Sequence, residues 1–171
     1  MSFSNKQQRT TLFLFIGKYI FPLVASISLF SFGIKEYNFT GILAHSEFGI
    51  YARILATIML IWFTIILHQR FYDAKLSSKI FLILYSILGF LGIWTIYIEG
   101  TIFATLHLTF AYSAFICFNA LLLKTYIYKP KKLNMYLIGC FLCALLCTLE
   151  GKVSGSCELL YTFIICYRCF S

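Results

Sequence analysis

Charge is scarce in this chain, and acidic charge most of all. Only 6 of the 171 residues are Asp or Glu, and charged residues together make up 12%. Soluble domains carry about one quarter. No stretch resembles an isolated water-soluble domain, and the loops are too short to hide one. The sequence lacks an internal repeat and a low-complexity linker. It also lacks a convincing Ser-His-Asp arrangement, and its few His and acids are too scattered for a metal site, which needs several ligands together. No catalytic residue, cofactor or metal ligand is assigned from it, while a His with carboxylates, His107 with Glu158, leaves a general acid–base role open.

What fills the chain is apolar, at 61% of residues. A membrane-spanning helix needs about 20 mostly apolar residues. Six such runs are present: Leu12 to Ile34, Phe48 to His68, Ile80 to Ile98, Thr101 to Leu123, Leu133 to Leu149, and Val153 to Phe170. The last two are short and close together, so five spans with a re-entrant end is the alternative. The first run is too long for a signal-peptide core and reads as a retained anchor. Lys18 lies early in it, within reach of headgroups, and Pro22 is placed to kink it. Backbone groups in lipid must be satisfied within their own segment. The fold class is therefore all-α: one polytopic membrane domain over residues 1–171, a bundle of six transmembrane helices.

The formal net charge is +8, but the basic residues sit in short clusters between apolar runs. They offer no continuous face to a nucleic acid. Their distribution instead sets orientation. One side collects Lys6, Arg9, Lys18, Arg70, Lys75, Lys79, Lys124, Lys129, Lys131, Lys132 and Arg168 against one acid, Asp73. The other holds Lys35, Arg53 and Lys152 against Glu36, Glu47, Glu99, Glu150 and Glu158. With six spans these sets alternate without violation, and both termini face the cytosol. The sequon Asn38-Phe39-Thr40 falls in a loop on the opposite side, which makes Asn38 a glycosylation candidate.

Four ionisable residues fall at one level near the non-cytosolic boundary. Glu158 lies about five residues into the last run, roughly 8 Å deep. His107 and Arg53 lie at similar depth in the fourth and second runs, and Glu99 closes the third. Charge inside a membrane is costly, so compensation is expected. Glu158 and Glu99 are both candidate partners for Arg53, with His107 adding a hydrogen bond. Three readings remain open: a staple that fixes helix order, a functional polar pocket, and residues wetted at the interface.

Of seven cysteines, Cys140, Cys143 and Cys147 share a helix face without a His or acid beside them, and read as small packing residues. The odd count and the absence of a loop pair argue against a disulfide framework. Cys166 and Cys169 flank Arg168 at the cytosolic edge, where palmitoylation is the candidate modification. Ser86, Gly89 and Gly92 mark a close helix contact. Tyr126, Tyr128 and Tyr136 read as an interfacial belt. Lys129, Lys131 and Lys132 make a basic patch for anionic lipid headgroups.

These pieces resemble, in order, the Frag1/DRAM/Sfk1 family of six-span membrane proteins. "VSGSCELLYTF" is similar to that family's Ser-x-x-Cys-Glu-Trp last-span motif, carried by Ser154, Cys157 and Glu158, with Leu159 in place of tryptophan. "SEFGIYARILATIM" resembles its entry to the second span. "ILHQRFYD", with Arg70 and Phe71, resembles the exit. "LGFLG" and "LHLTFAYSAF" resemble the third-span glycines and the fourth-span His. The Asn-Phe-Gln-Glu end of the third span is largely missing, with only Glu99 near the place, and the Asp-rich, Pro-Pro first loop is gone, which leaves a divergent or truncated member open. The resemblance implies a non-enzymatic regulator of autophagy or phospholipid organisation in the endomembrane system (lysosome, Golgi or plasma membrane). A PGAP2-like factor in GPI-anchor lipid remodelling is the alternative it implies. A small transporter or channel is a third choice, disfavoured because permeation paths need polar groups along their length.

Overall fold

A computed structural model describes residues 11–45, 47–71, 76–127 and 129–169. Among them are seven helices: α1 (Thr11–Phe32), α2 (Phe39–Ala44), α3 (Gly49–Arg70), α4 (Leu76–Trp94), α5 (Ile102–Tyr126), α6 (Pro130–Glu150) and α7 (Gly155–Cys169). α1, α3, α5 and α6 are long and apolar enough to cross a membrane, and α4 and α7 are shorter apolar helices. Each expected run falls on a helix. The residues assigned above to loops and ends at Lys6, Arg9, Asp73, Lys75 and Tyr128 lie outside the described residues, as do the side chains of Arg70, Arg168 and Cys169.

The chain divides into two compact units. Unit one joins residues 1–38 to 136–171, and unit two covers residues 39–135. In unit one, α7 packs along α1. α1 opens with a π-helical segment, Ile16–Ile20, in which the Phe21 N–H reaches back to the Ile16 carbonyl. That wider turn sits immediately before Pro22, whose missing N–H cannot continue an α-helical ladder. Lys18 lies in the segment with its ammonium 4.6 Å from the Tyr167 ring centroid on α7. α1 stops at Gly33, which adopts φ +91°, a left-handed conformation that costs glycine little. The chain turns there, with the Glu36 and Tyr37 N–H groups on the Gly33 carbonyl. Gly155 at the start of α7 lies under this turn. A Cβ there would stand 2.5 Å from the Tyr37 carbonyl oxygen and 2.7 Å from that of Ile34.

In unit two, α4 packs against both α3 and α5. Phe118 on α5 is the hub. Its ring meets Phe63 of α3 edge-on at 5.7 Å and Tyr85 of α4 at 5.1 Å. The small residues expected to allow close contact do so. Gly92 faces the Ala111 backbone, Gly89 faces Leu60, and the Ser86 and Thr64 hydroxyls are 3.1 Å apart. Lys124 donates to the buried Ser78 hydroxyl at 2.6 Å. Of the tyrosines expected to form a belt, Tyr126 and Tyr136 are buried, at 2% and 1% exposed.

The third expected run ends early as helix. α4 stops at Trp94, and Ile96 to Glu99 form loop. The Thr95 carbonyl is held by His107 rather than by a further turn, and the β-branched Ile96 and Ile98 favour extended backbone. Glu99 is exposed in that loop rather than closing a helix.

The outer faces carry the clearest solvent signal. Ile54, Ile58, Ile61 and Ile65 form an exposed stripe along α3, and Ile138, Phe141, Leu145 and Leu149 one along α6. Spacings of three and four place each set on one helical face. Stripes of this length are incompatible with water and suited to hydrocarbon.

Candidate functional site

His107 is the centre of the polar structure in unit two. It is 3% exposed, and both ring nitrogens are engaged. Nδ1 lies 2.9 Å from the Thr95 carbonyl oxygen, and Nε2 lies 3.3 Å from the Thr40 hydroxyl. A carbonyl only accepts, so Nδ1 carries a proton. In the neutral ring Nε2 then accepts from Thr40. The imidazole thus ties α5 to α2 and to the chain leaving α4, with Tyr97 edge-on at 5.8 Å.

Arg53, in the first turn of α3, donates from Nη2 to the Leu43 carbonyl at 3.0 Å. Leu43 lies in the last turn of α2, where carbonyls lack helical donors and attract a cation. The Nε of Arg53 is buried without a hydrogen-bond partner among the described residues. The Arg53 carbonyl accepts from Thr57, whose hydroxyl accepts from the Trp94 indole N–H at 3.1 Å. Two polar chains therefore close the same end of unit two, both through α2. Beside them Trp94, Thr95, Ile96, Ile98, Phe103 and Leu106 line an open, mostly apolar groove of about 410 Å³.

The four ionisable residues expected at one level divide between the units. Arg53, Glu99 and His107 belong to unit two, and Glu158 belongs to unit one. Arg53 and Glu99 form no ion pair; Arg53 bonds to a backbone carbonyl instead. Glu158 is half-buried in the first turn of α7.

The Ser-x-x-Cys-Glu stretch has a local structural logic. Ser154 is 2% exposed. Its hydroxyl donates to the Glu150 carboxylate and accepts the Cys157 N–H at 3.4 Å, the geometry of a helix N-cap. Asn38, the glycosylation candidate, donates from its side-chain nitrogen to the Val153 carbonyl at 3.0 Å. Residues 153–155 are thus gripped from one side by the turn that follows α1.

Among the cysteines, Cys166 is fully buried. Cys143 and Cys147 of α6 meet Cys157 of α7, a meeting that α6-face spacing alone does not reveal. Among the described residues no group of three or more His, Cys, Asp or Glu is placed to hold a metal ion. Lys129 and Lys131 are exposed and Lys132 is half-buried where α5 turns into α6. No protein-family model, curated protein or solved structure matches the chain.

Proposed function

We propose that this protein is a non-enzymatic, six-span membrane regulator of the DRAM/Sfk1 kind, with both termini in the cytosol, acting on lipid organisation or autophagy in endomembranes. The observation that carries the non-enzymatic part is the state of His107. Catalytic imidazoles are commonly oriented by a carboxylate, whereas the acceptor that orients His107 is a backbone carbonyl. Here one nitrogen is held by Thr95 and the other faces Thr40. Arg53 is likewise turned onto a helix end. The ionisable groups of unit two act as braces that hold loops and helix starts in place.

The six-span part is supported by six apolar helices that coincide with runs of alternating flank charge. α4 and α7, at 19 and 15 residues, are about 28 and 22 Å long. Both are short of a hydrocarbon core of about 30 Å and are accommodated by local thinning and snorkelling flanks. The partners are membrane lipids, with anionic headgroups drawn to Lys129, Lys131 and Lys132.

The test combines loss of the protein with three readouts: autophagic flux, phosphatidylserine exposure, and the acyl chains of GPI-anchored proteins. A change in either of the first two with unaltered GPI lipids is expected. Altered GPI acyl chains alone would move the assignment to lipid remodelling.

A further inference from the structure

Two of the thiols in unit one are set up to react with each other. Cys147 lies in the last turn of α6 and Cys157 in the first turn of α7, joined by the short turn 151–154. The Cys147 thiol donates to the Cys157 sulfur, with the two sulfurs 3.0 Å apart. A formed S–S bond is about 2.05 Å, so about 1 Å of approach closes it. Cys143, one turn deeper, is arranged differently. Its sulfur lies 3.8 Å from the Cys157 carbonyl oxygen, and the Cys157 sulfur lies 3.4 Å from the Cys143 carbonyl oxygen. Those contacts hold the helices in register and leave the two sulfurs of Cys147 and Cys157 facing each other. The Ser154 cap and the close seat of Gly155 against the turn after α1 fix where α7 begins. Exposure is asymmetric: Cys157 is buried at 7%, whereas Cys147 is half-buried.

We propose that Cys147 and Cys157 form a reversible dithiol–disulfide pair that locks α6 to α7, oxidised by exchange with a small-molecule disulfide of the glutathione type. Cys147, the more accessible thiol, loses its proton to water and attacks one sulfur of the oxidant. The S–S bond of the oxidant breaks, one thiolate leaves and takes up a proton, and Cys147 holds a mixed disulfide. Cys157, deprotonated in turn, attacks the Cys147 sulfur and expels the second thiol. Two cysteines have lost two electrons and two protons, and the oxidant has gained them as two thiols. Excess reduced thiol reverses both steps.

The pair lies within about one turn of the α6–α7 connection, on the side that the proposed topology places outside the cytosol. Disulfides persist in that compartment. The compartment, though not the chemistry, rests on that topology. An experiment on purified protein reads the pair whatever the orientation, whereas a wrong orientation shows only in protease accessibility of intact membranes.

The full chain is purified in detergent, incubated with oxidised glutathione, denatured, alkylated with a mass-tagged maleimide and mapped by peptide mass spectrometry. Two of the seven thiols become unreactive, one linked peptide joins Cys147 to Cys157, and dithiothreitol restores both. Cys157→Ser traps glutathione on Cys147, while Cys147→Ser leaves Cys157 unmodified. Cys117→Ser, in unit two, forms the link like the wild type. Retention of both thiols by the folded, oxidised wild type overturns the proposal, as does a bond that maps to Cys143. Wild-type mapping decides the matter if a variant fails to fold.

Discussion

His107 is worth more to this protein as a joint than as a charge. Its replacement by alanine leaves the Thr95 carbonyl and the Thr40 hydroxyl without their partner in a site that is 3% exposed at the ring. Each buried polar group so orphaned costs about 1–3 kcal/mol. His107→Ala is therefore expected to lower stability by about 3 kcal/mol in all, seen as a lower thermal midpoint in micelles. His107→Gln keeps a side-chain hydrogen-bonding group and should recover part of that loss. The cellular readout should track folded protein in both variants. A well-folded His107→Gln protein with no activity would show that the imidazole does chemistry. Asn38 makes a second residue-scale case. The nitrogen that would carry a glycan is bonded to the Val153 carbonyl, and the Thr40 hydroxyl of the same sequon faces His107. The mature protein is expected to show no mobility change on treatment with an N-glycosidase, and a shift abolished by Asn38→Gln would mean the sequon is used.

At the scale of elements, the seat of α7 is the tightest joint in unit one. Gly155 has carbonyl oxygens of the preceding turn where a Cβ would go, at 2.5 and 2.7 Å. Backbone atoms cannot swing aside as a flexible side-chain tip does. Gly155→Ala should displace the start of α7 and destabilise the unit by about 1–3 kcal/mol, the usual cost of overpacking. Gly139→Ala is the control, because its Cβ would meet only side-chain atoms of Ile164, nearest the terminal Cδ1 at 2.6 Å, and a side chain can shift where backbone cannot. A larger loss of thermal midpoint in Gly155→Ala than in Gly139→Ala is the result to look for. Elements were unevenly legible in the sequence, for identifiable reasons. The four long and two shorter apolar helices follow from apolar composition summed over many residues, a signal that survives local irregularity. α2 escaped because Phe39–Ala44 is six residues long and sits inside a loop. The end of α4 is not legible because Ile96 and Ile98 are as apolar as a span, while the carbonyl that would continue the helix is taken from afar by His107. The candidate site shows the same division. His107 and Arg53 stand out as polar residues in apolar runs. Their partners do not, because Leu43 contributes only a backbone oxygen and Thr40 and Thr95 are ordinary residues. The Cys147–Cys157 meeting depends on the register of α6 against α7, which no spacing within either helix encodes.

For the whole molecule, the governing quantity is the imbalance between the two ends of the spans. Around the junction of α5 and α6, Lys129 lies in the connection, Lys131 and Lys132 in the first turn of α6 and Lys124 in the last turn of α5, with no acid among them. At the junction of α6 and α7, Glu150 ends α6 and Lys152 follows in the connection, and their formal charges cancel. Basic residues in short loops near the membrane resist translocation, whereas acids contribute little. The triple lysine turn should therefore be the strongest determinant of orientation in the second half of the chain. Replacing Lys129, Lys131 and Lys132 together with glutamine removes it while leaving α5 and α6 apolar. In sealed membranes a tag at the C-terminus of the wild type should be digested by protease added from the cytosolic side. In the triple variant a fraction of tags should become protected, because α5 to α7 then have little charge to hold them in one orientation. Protection of the wild-type tag would reverse the proposed topology. An unchanged, fully digested tag in the triple variant would place the orienting signal in the first half of the chain.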